Sequence, residues 1–333
     1  MSGRWRPVLA LLAALLVAAA TGGPPAESAV EAAVRRGLDW ILAHPASQQD
    51  GGFRDLVDEA LFYRVFLRLG AACCPDPRLV GARDRALDRL TAALRRDADR
   101  TDAHRSLLDH YHLLLAAYLL NQAGRPIPLR GEIVSRAARA LAVRSRALPT
   151  VRLAVALLLE RLGEIPPLSP RALREAAFIA RLTRRGASPV GGSGGRGGAL
   201  HPFVYYALVH EIALLTDFGA QAPDRWLQAR RGALIRLLEG GVRQAVASGS
   251  IDRLAELLLA MGILGGCSTT TTDHAVHLLL ATQHEDGSWG ARTPRRANPV
   301  RHAVQTATAA LMDYARRRLA VERGARSACR PAA

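Results

Sequence analysis

Lysine is absent from the 333 residues, so all 45 basic side chains are arginines. Uniform use of one basic residue points to base composition more than to a need for a guanidinium at each site. It weakens the net charge of +16 as a sign of a polyanion partner. Nucleic-acid binding calls for arginines interleaved with exposed aromatics or gathered on one recognition element. Aromatics make up only 5% of this chain and the arginines are spread along amphipathic segments, so nucleic acid is not an expected partner. An anionic membrane surface or an acidic glycan stays open.

Cysteine is scarce. Cys73, Cys74, Cys267 and Cys329 show no paired C-x-x-C spacing, which argues against a structural zinc site built on thiolates. The apolar run "VLALLAALLVAAA" is shorter than the roughly 20 residues needed to cross a bilayer comfortably. With Arg4 and Arg6 before it and Ala18-x-Ala20 at its end, it reads as a signal peptide over residues 1–20, with a linker over 21–26. The expected location is therefore periplasmic or extracellular, and an uncleaved membrane anchor is the alternative. No cysteine follows the run, which argues against a lipoprotein. Export permits disulfides; a bridge from Cys73 or Cys74 to Cys267 requires that the two ends of the fold meet.

What is abundant is the material of helices. Hydrophobic residues make up 49% of the chain, and Ala, Leu and Arg, which lose little freedom in a helical backbone, dominate. Two kinds of segment alternate. "DPRLVGARDRALDRLTAALRRDADR" and "LRGEIVSRAARALAVRSRA" are amphipathic and studded with arginine, whereas "SLLDHYHLLLAAYLL" and "TVRLAVALLLERLG" are apolar nearly all round. The first kind belongs on an outside and the second in an interior. Interior segments begin near Arg54, Ala103, Pro149, His201, Ile251 and Val300, a recurrence of roughly 50 residues that signals a repeat architecture. They end on Gly70, Gly124, Gly163, Gly219 and Gly265, and glycine suits the left-handed residue that closes a helix.

Six helix pairs can stack openly or close into a ring. An open stack needs polar capping repeats at both ends, and the last pair here is no more polar than its neighbours. The expected fold is all-α: an (α/α)6 toroid of six inner and six outer helices over residues 27–322, with a disordered basic tail at 323–333.

"QHEDGSWG", Gln283 to Gly290, lies between the last outer and the last inner segment. With Ala275 and Leu279 before it, its Gln283, Gly287 and Trp289 resemble the QW repeat of terpenoid cyclases and their relatives, the protein prenyltransferases; Leu278 stands where that repeat has an aromatic. A degenerate copy fits at Arg36, Gly37, Trp40, Ile41, Gly51 and Phe53, with its glutamine displaced, and the four central repeats lack the motif. The resemblance implies an (α/α)6 toroid and a structural role for Gln283, Asp286, Gly287 and Trp289. The bottom-up reading agrees, because an amide can satisfy orphan backbone groups at a helix end while glycine permits the turn.

In such a ring the N-terminal ends of the inner helices face the mouth of a central cavity. They bring Asp55, Asp58 and Glu59; Asp102, His104 and Asp109; Thr150 and Arg152; His201, Tyr205 and Tyr206; Asp252 and Glu256; and His302, Gln305 and Thr306. The candidate catalytic residues are Asp58, Glu59, His104, His201, Tyr205 and His302, with helix caps as the alternative reading of Asp252, Asp102 and Thr150. The D-x-D-D acid of class II cyclases is missing; "DLVDE" has the wrong spacing. The prenyltransferase zinc set matches at Asp252 and His302, but Leu254 stands in place of its cysteine, so no metal and no cofactor is expected. The expected ligand is an elongated apolar molecule, an isoprenoid or lipid, held between aliphatic walls. The alternatives are a non-catalytic binding or scaffold protein and a polysaccharide-acting enzyme of the same ring fold.

Overall fold

The computed structural model describes residues 25–47, 52–98, 106–144, 147–164, 170–184, 202–266, 269–290 and 297–322, and every regular element among them is a helix. In chain order these are α1 (Glu27–Ala43), α2 (Gly52–Cys73), α3 (Arg78–Ala98), α4 (Leu107–Gln122), α5 (Arg130–Val143), α6 (Pro149–Arg161), α7 (Pro170–Ala176), α8 (Phe178–Arg184), α9 (Pro202–Leu215), α10 (Arg225–Gln228), α11 (Arg231–Ser248), α12 (Ile251–Ile263), α13 (Thr270–Thr282) and α14 (Ala297–Glu322).

The apolar segments became α2, α4, α6, α9, α12 and α14, which carry most of the core. In α4, leucines and alanines are buried on every side from Leu113 to Leu120, and a Ser106–Asp109 capping box fixes its start. Each of these helices packs on the next one: α2 on α4, α4 on α6, α6 on α9, α9 on α12 and α12 on α14, and α14 packs back on α2. The arginine-rich segments flank them. α3, for instance, buries Leu79, Ala82, Ala86, Leu90 and Ala93 and leaves Arg78, Arg85, Arg95 and Arg96 exposed.

Gly124, Gly163, Gly219 and Gly265 have positive φ at the ends of their helices, as expected. At Gly124, Arg125 N donates to Leu120 O at 2.9 Å, the closing bond of a Schellman turn. Gly70 is different: α2 runs on to Cys73, and a Cβ at Gly70 would stand 3.1 Å from Met312 Cε. Its small size serves the approach of α14 and not a helix end.

Two of the flanking segments break. Between α7 and α8, the wholly buried Glu211 of α9 accepts hydrogen bonds from Phe178 N and Ile179 N, both at 2.9 Å, and from Thr150 Oγ1 at 2.8 Å. It thereby caps the start of α8 from a neighbouring helix. The other break separates α10 from α11, and α10 is capped by Asp224.

At the end opposite the N-termini of these core helices, Asp217 pairs with both Arg64 and Arg161, whose guanidinium groups lie over the Tyr118 ring at 5.4 and 5.7 Å. Arg68 donates to Phe218 O at 2.6 Å. These arginines hold a turn in which Asp217 and Phe218, neither of them glycine, adopt φ of 52° and 54°.

The loop at 283–290 joins the last part of the described chain to its first helix. Gln283 Nε2 donates to Ala33 O of α1 at 2.9 Å and to Gly287 O at 3.2 Å, and the fully buried Trp289 donates through its indole N–H to Leu279 O at 2.8 Å. Asp286 Oδ1 accepts from Ser288 N and Oγ and so closes the turn. Cys73 and Cys74 are free thiols, so neither is in a disulfide. Cys267, like residues 1–24, residues 323–333, Asp102, His104 and His201, lies outside the described residues.

Candidate functional site

A cavity of ≈620 Å³ opens where the N-terminal turns of five core helices converge. α2 contributes Arg54 and Asp58; α4 contributes Leu108, Tyr111 and His112; α9 contributes Phe203, Tyr205, Tyr206, Val209 and His210; α12 contributes Asp252, Arg253, Glu256 and Leu257; α14 contributes His302. Thr150 of α6 does not reach it, because its hydroxyl is committed to Glu211. The volume lies within the range of small-molecule sites. The walls combine aromatic faces with charges of both signs and are far less aliphatic than the sequence led us to expect.

Asp58 lines the cavity, 3.7 Å from Arg54 one turn earlier on α2. Glu59 does not: it is buried, accepts from Ala46 N at 3.0 Å and from Arg89 Nη2 at 2.6 Å, and ties the α1–α2 connection to α3. Adjacent residues on a helix point about 100° apart. Asp58 and Glu59 therefore serve different faces, and the proposed catalytic place of Glu59 is corrected to a structural one. Asp55 shares the face of Glu59 and pairs with buried Arg301 at 3.4 Å; burial raises its carboxyl pKa in spite of that arginine.

Tyr205 is 3% exposed and packs against α11, where a Cβ on Gly241 would stand 2.8 Å from its ring. It is also among the residues that line the cavity. Its neighbour Tyr206 is 46% exposed and packs against His210 one turn later, with ring centroids 3.9 Å apart and planes tilted by 34°. Burial raises the phenol pKa of Tyr111 and of Tyr206 further above neutrality, so both hydroxyls hold a proton available for donation to a ligand. Burial lowers the His112 pKa and favours the neutral ring.

His302 lines the cavity beside α12. Its Nε2 is 3.2 Å from Glu256 Oε1 and 3.7 Å from Asp252 Oδ1. Burial alone would depress the imidazole pKa, but the hydrogen bond to Glu256 and the two negative charges outweigh it and raise it to about 9. Asp252 is not a helix cap: Ser250 holds that position, and Asp252 accepts from Thr306 Oγ1 at 2.9 Å. Sequence reasoning placed Asp252, Glu256 and His302 at the rim but found no third ligand for the Asp252–His302 pair. The i,i+4 spacing of Asp252 and Glu256 was the available signal. Tyr111, Phe203 and His210 were missed, although His210 lies one turn from Tyr206.

Of the sequence-predicted catalytic residues, the cavity thus gathers Asp58, Tyr205 and His302. Among the described residues, no helix is long and apolar enough to cross a membrane. No curated protein and no solved structure is matched by this chain. A family model does match, over residues 32–315, and this span includes every side chain that lines the cavity. By that match the chain belongs to the family described as Domain of unknown function (DUF6895).

Proposed function

We propose that this chain is an exported (α/α)6 toroid, related in architecture to the terpenoid cyclase and protein prenyltransferase rings. Its central cavity binds an amphipathic small molecule, an isoprenoid or other lipid with a polar end, and rim groups act on that ligand by acid–base chemistry. The order of helix packing, which returns from α14 to α2, supports the ring, as does the QW-type loop joining the last flanking helix to the first. The leader-like residues 1–20 support export, and the net charge of +16 supports contact with an anionic membrane surface.

The convergence of five helix starts on one cavity carries the reading. Leu108, Phe203, Val209 and Leu257 offer an apolar wall, while Arg54 and Arg253 suit an anionic end. Asp58 is the proton-transfer group and Tyr206 a hydrogen-bond donor. The test is mass spectrometry of ligand extracted from protein purified out of its native compartment. One lipid per chain is expected, displaced in Leu108→Arg at unchanged thermal stability. Protein that carries no lipid and binds no isoprenoid alcohol or diphosphate would contradict the reading. Ligand that is bound but left unaltered, equally by wild type and Asp58→Asn, would mark a binding protein.

A second reading rests on the aromatic faces of Tyr111, Phe203 and Tyr206 beside Asp58 and Glu256, a surface suited to stacking a sugar ring between carboxylates. Saturable oligosaccharide binding, lost in Tyr206→Ala, would favour it over the lipid.

A further inference from the structure

Asp252 and Glu256 lie one turn apart on α12, so both carboxylates project from one face. α14 packs against that face and brings His302 to it. One ligand atom from each of the three side chains lies within 4.8 Å of the other two. A four-coordinate zinc ion has bonds of about 2.0–2.2 Å, which separates its ligand atoms by about 3.3–3.6 Å. The 3.2 and 3.7 Å distances from His302 Nε2 to the two carboxylates bracket that spacing. The two carboxylates lie within 4.8 Å of each other, so an ion would enter by side-chain rotations that draw them in by up to about 1.5 Å.

We propose that Asp252, Glu256 and His302 form a binding site for a divalent transition-metal cation of the zinc type, with its remaining coordination positions facing the cavity. Three features separate it from a cluster of surface acids. One ligand is an imidazole from a second helix, the site opens onto the cavity, and Thr306 Oγ1 donates to Asp252 at 2.9 Å and fixes that carboxylate from behind. Three protein ligands with open positions are the arrangement of catalytic metals, whereas structural zinc sites are closed by four. Within the cavity reading above, on which its role rests, the ion would hold a phosphoryl, carbonyl or water oxygen of the ligand beside Arg253.

The free thiols of Cys73 and Cys74 line a smaller pocket with Glu31 and Asp76, and thiolates bind zinc adventitiously in a titration. The experiment therefore uses the full chain carrying Cys73→Ser and Cys74→Ser. It is stripped with chelator and titrated with ZnCl2 alone by calorimetry, then with CoCl2 by visible absorption. One ion per chain is expected, and the cobalt spectrum should show d–d bands without thiolate charge transfer. His302→Ala and Asp252→Asn, checked for native circular dichroism, should each weaken zinc at least about tenfold, and Thr306→Val about tenfold. Absence of binding in the stripped protein, or binding unchanged in both His302→Ala and Asp252→Asn, overturns the proposal. Because the readout is metal alone, it separates from failure of the lipid reading, which leaves this titration intact.

Discussion

Gln283 Oε1 accepts a hydrogen bond from Arg36 Nη2 at 2.7 Å, joining residues 247 positions apart. The same carboxamide donates to Ala33 O, so one side chain grips the first described helix at two points while Trp289 is buried behind it. Gly37 completes the fit, since a Cβ there would meet Thr308 Oγ1 at 2.3 Å and the Trp289 ring at 3.3 Å. Residues near both ends of the described chain are thereby packed into one joint.

If this joint is structural, its loss should lower stability and leave ligand binding per folded molecule intact. Trp289→Ala removes a fully buried indole and should cost about 3–5 kcal/mol. Gln283→Leu breaks bonds that are partly exposed, and should cost about 1 kcal/mol. Chemical denaturation measures both. A Trp289→Ala protein with wild-type stability would refute the structural role.

Glycine substitutions should sort by what surrounds them. Gly249 has φ of +65° with open space around it, so Gly249→Ala bears only the left-handed backbone penalty of about 1–2 kcal/mol. At Gly287 the φ is +89° and a Cβ would also lie 2.1 Å from the Arg36 carbonyl oxygen, a backbone atom that cannot rotate away. At Gly262 it would lie 1.8 Å from Asp313 Oδ2, which Arg317 holds at 2.9 Å. Gly287→Ala adds overpacking to the backbone penalty and should exceed Gly249→Ala by about 1–3 kcal/mol, whereas Gly262→Ala, in a helical backbone, should bear the overpacking cost alone. Equal urea midpoints for the three variants would contradict the packing.

The helix starts were legible because burial is written locally: an all-apolar segment announces itself, and the starts read at Pro149 and Ile251 coincide with those of α6 and α12. What depended on a distant partner was not legible. The break between α7 and α8 is capped by Glu211, more than thirty residues away, and Gly70 answers to Met312. The same limit governed the cavity. Asp58 and Glu59 look alike in sequence, but the approach of Arg89 claims one and leaves the other to the cavity. Glu256 became a partner of His302 only once α14 was placed against α12.

The Arg64–Asp217–Arg161 cluster predicts the acid limb of stability. Burial would raise the Asp217 pKa, but the hydrogen bond and charge of Arg64, with Arg161 adding to them, hold it below the ordinary carboxylate value. A carboxyl depressed in the folded state contributes stability above its unfolded pKa, and that contribution is lost as pH falls through the folded value. Unfolding free energy should therefore decline as pH drops below about 4. Asp217→Asn cannot ionise, so it should be less stable at pH 7 and show a shallower decline below pH 4. Denaturant titrations between pH 2.5 and 7 measure both slopes. Parallel curves for the two proteins would mean that Asp217 binds its proton equally in the folded and unfolded chains, and that the two arginines do not hold its charge.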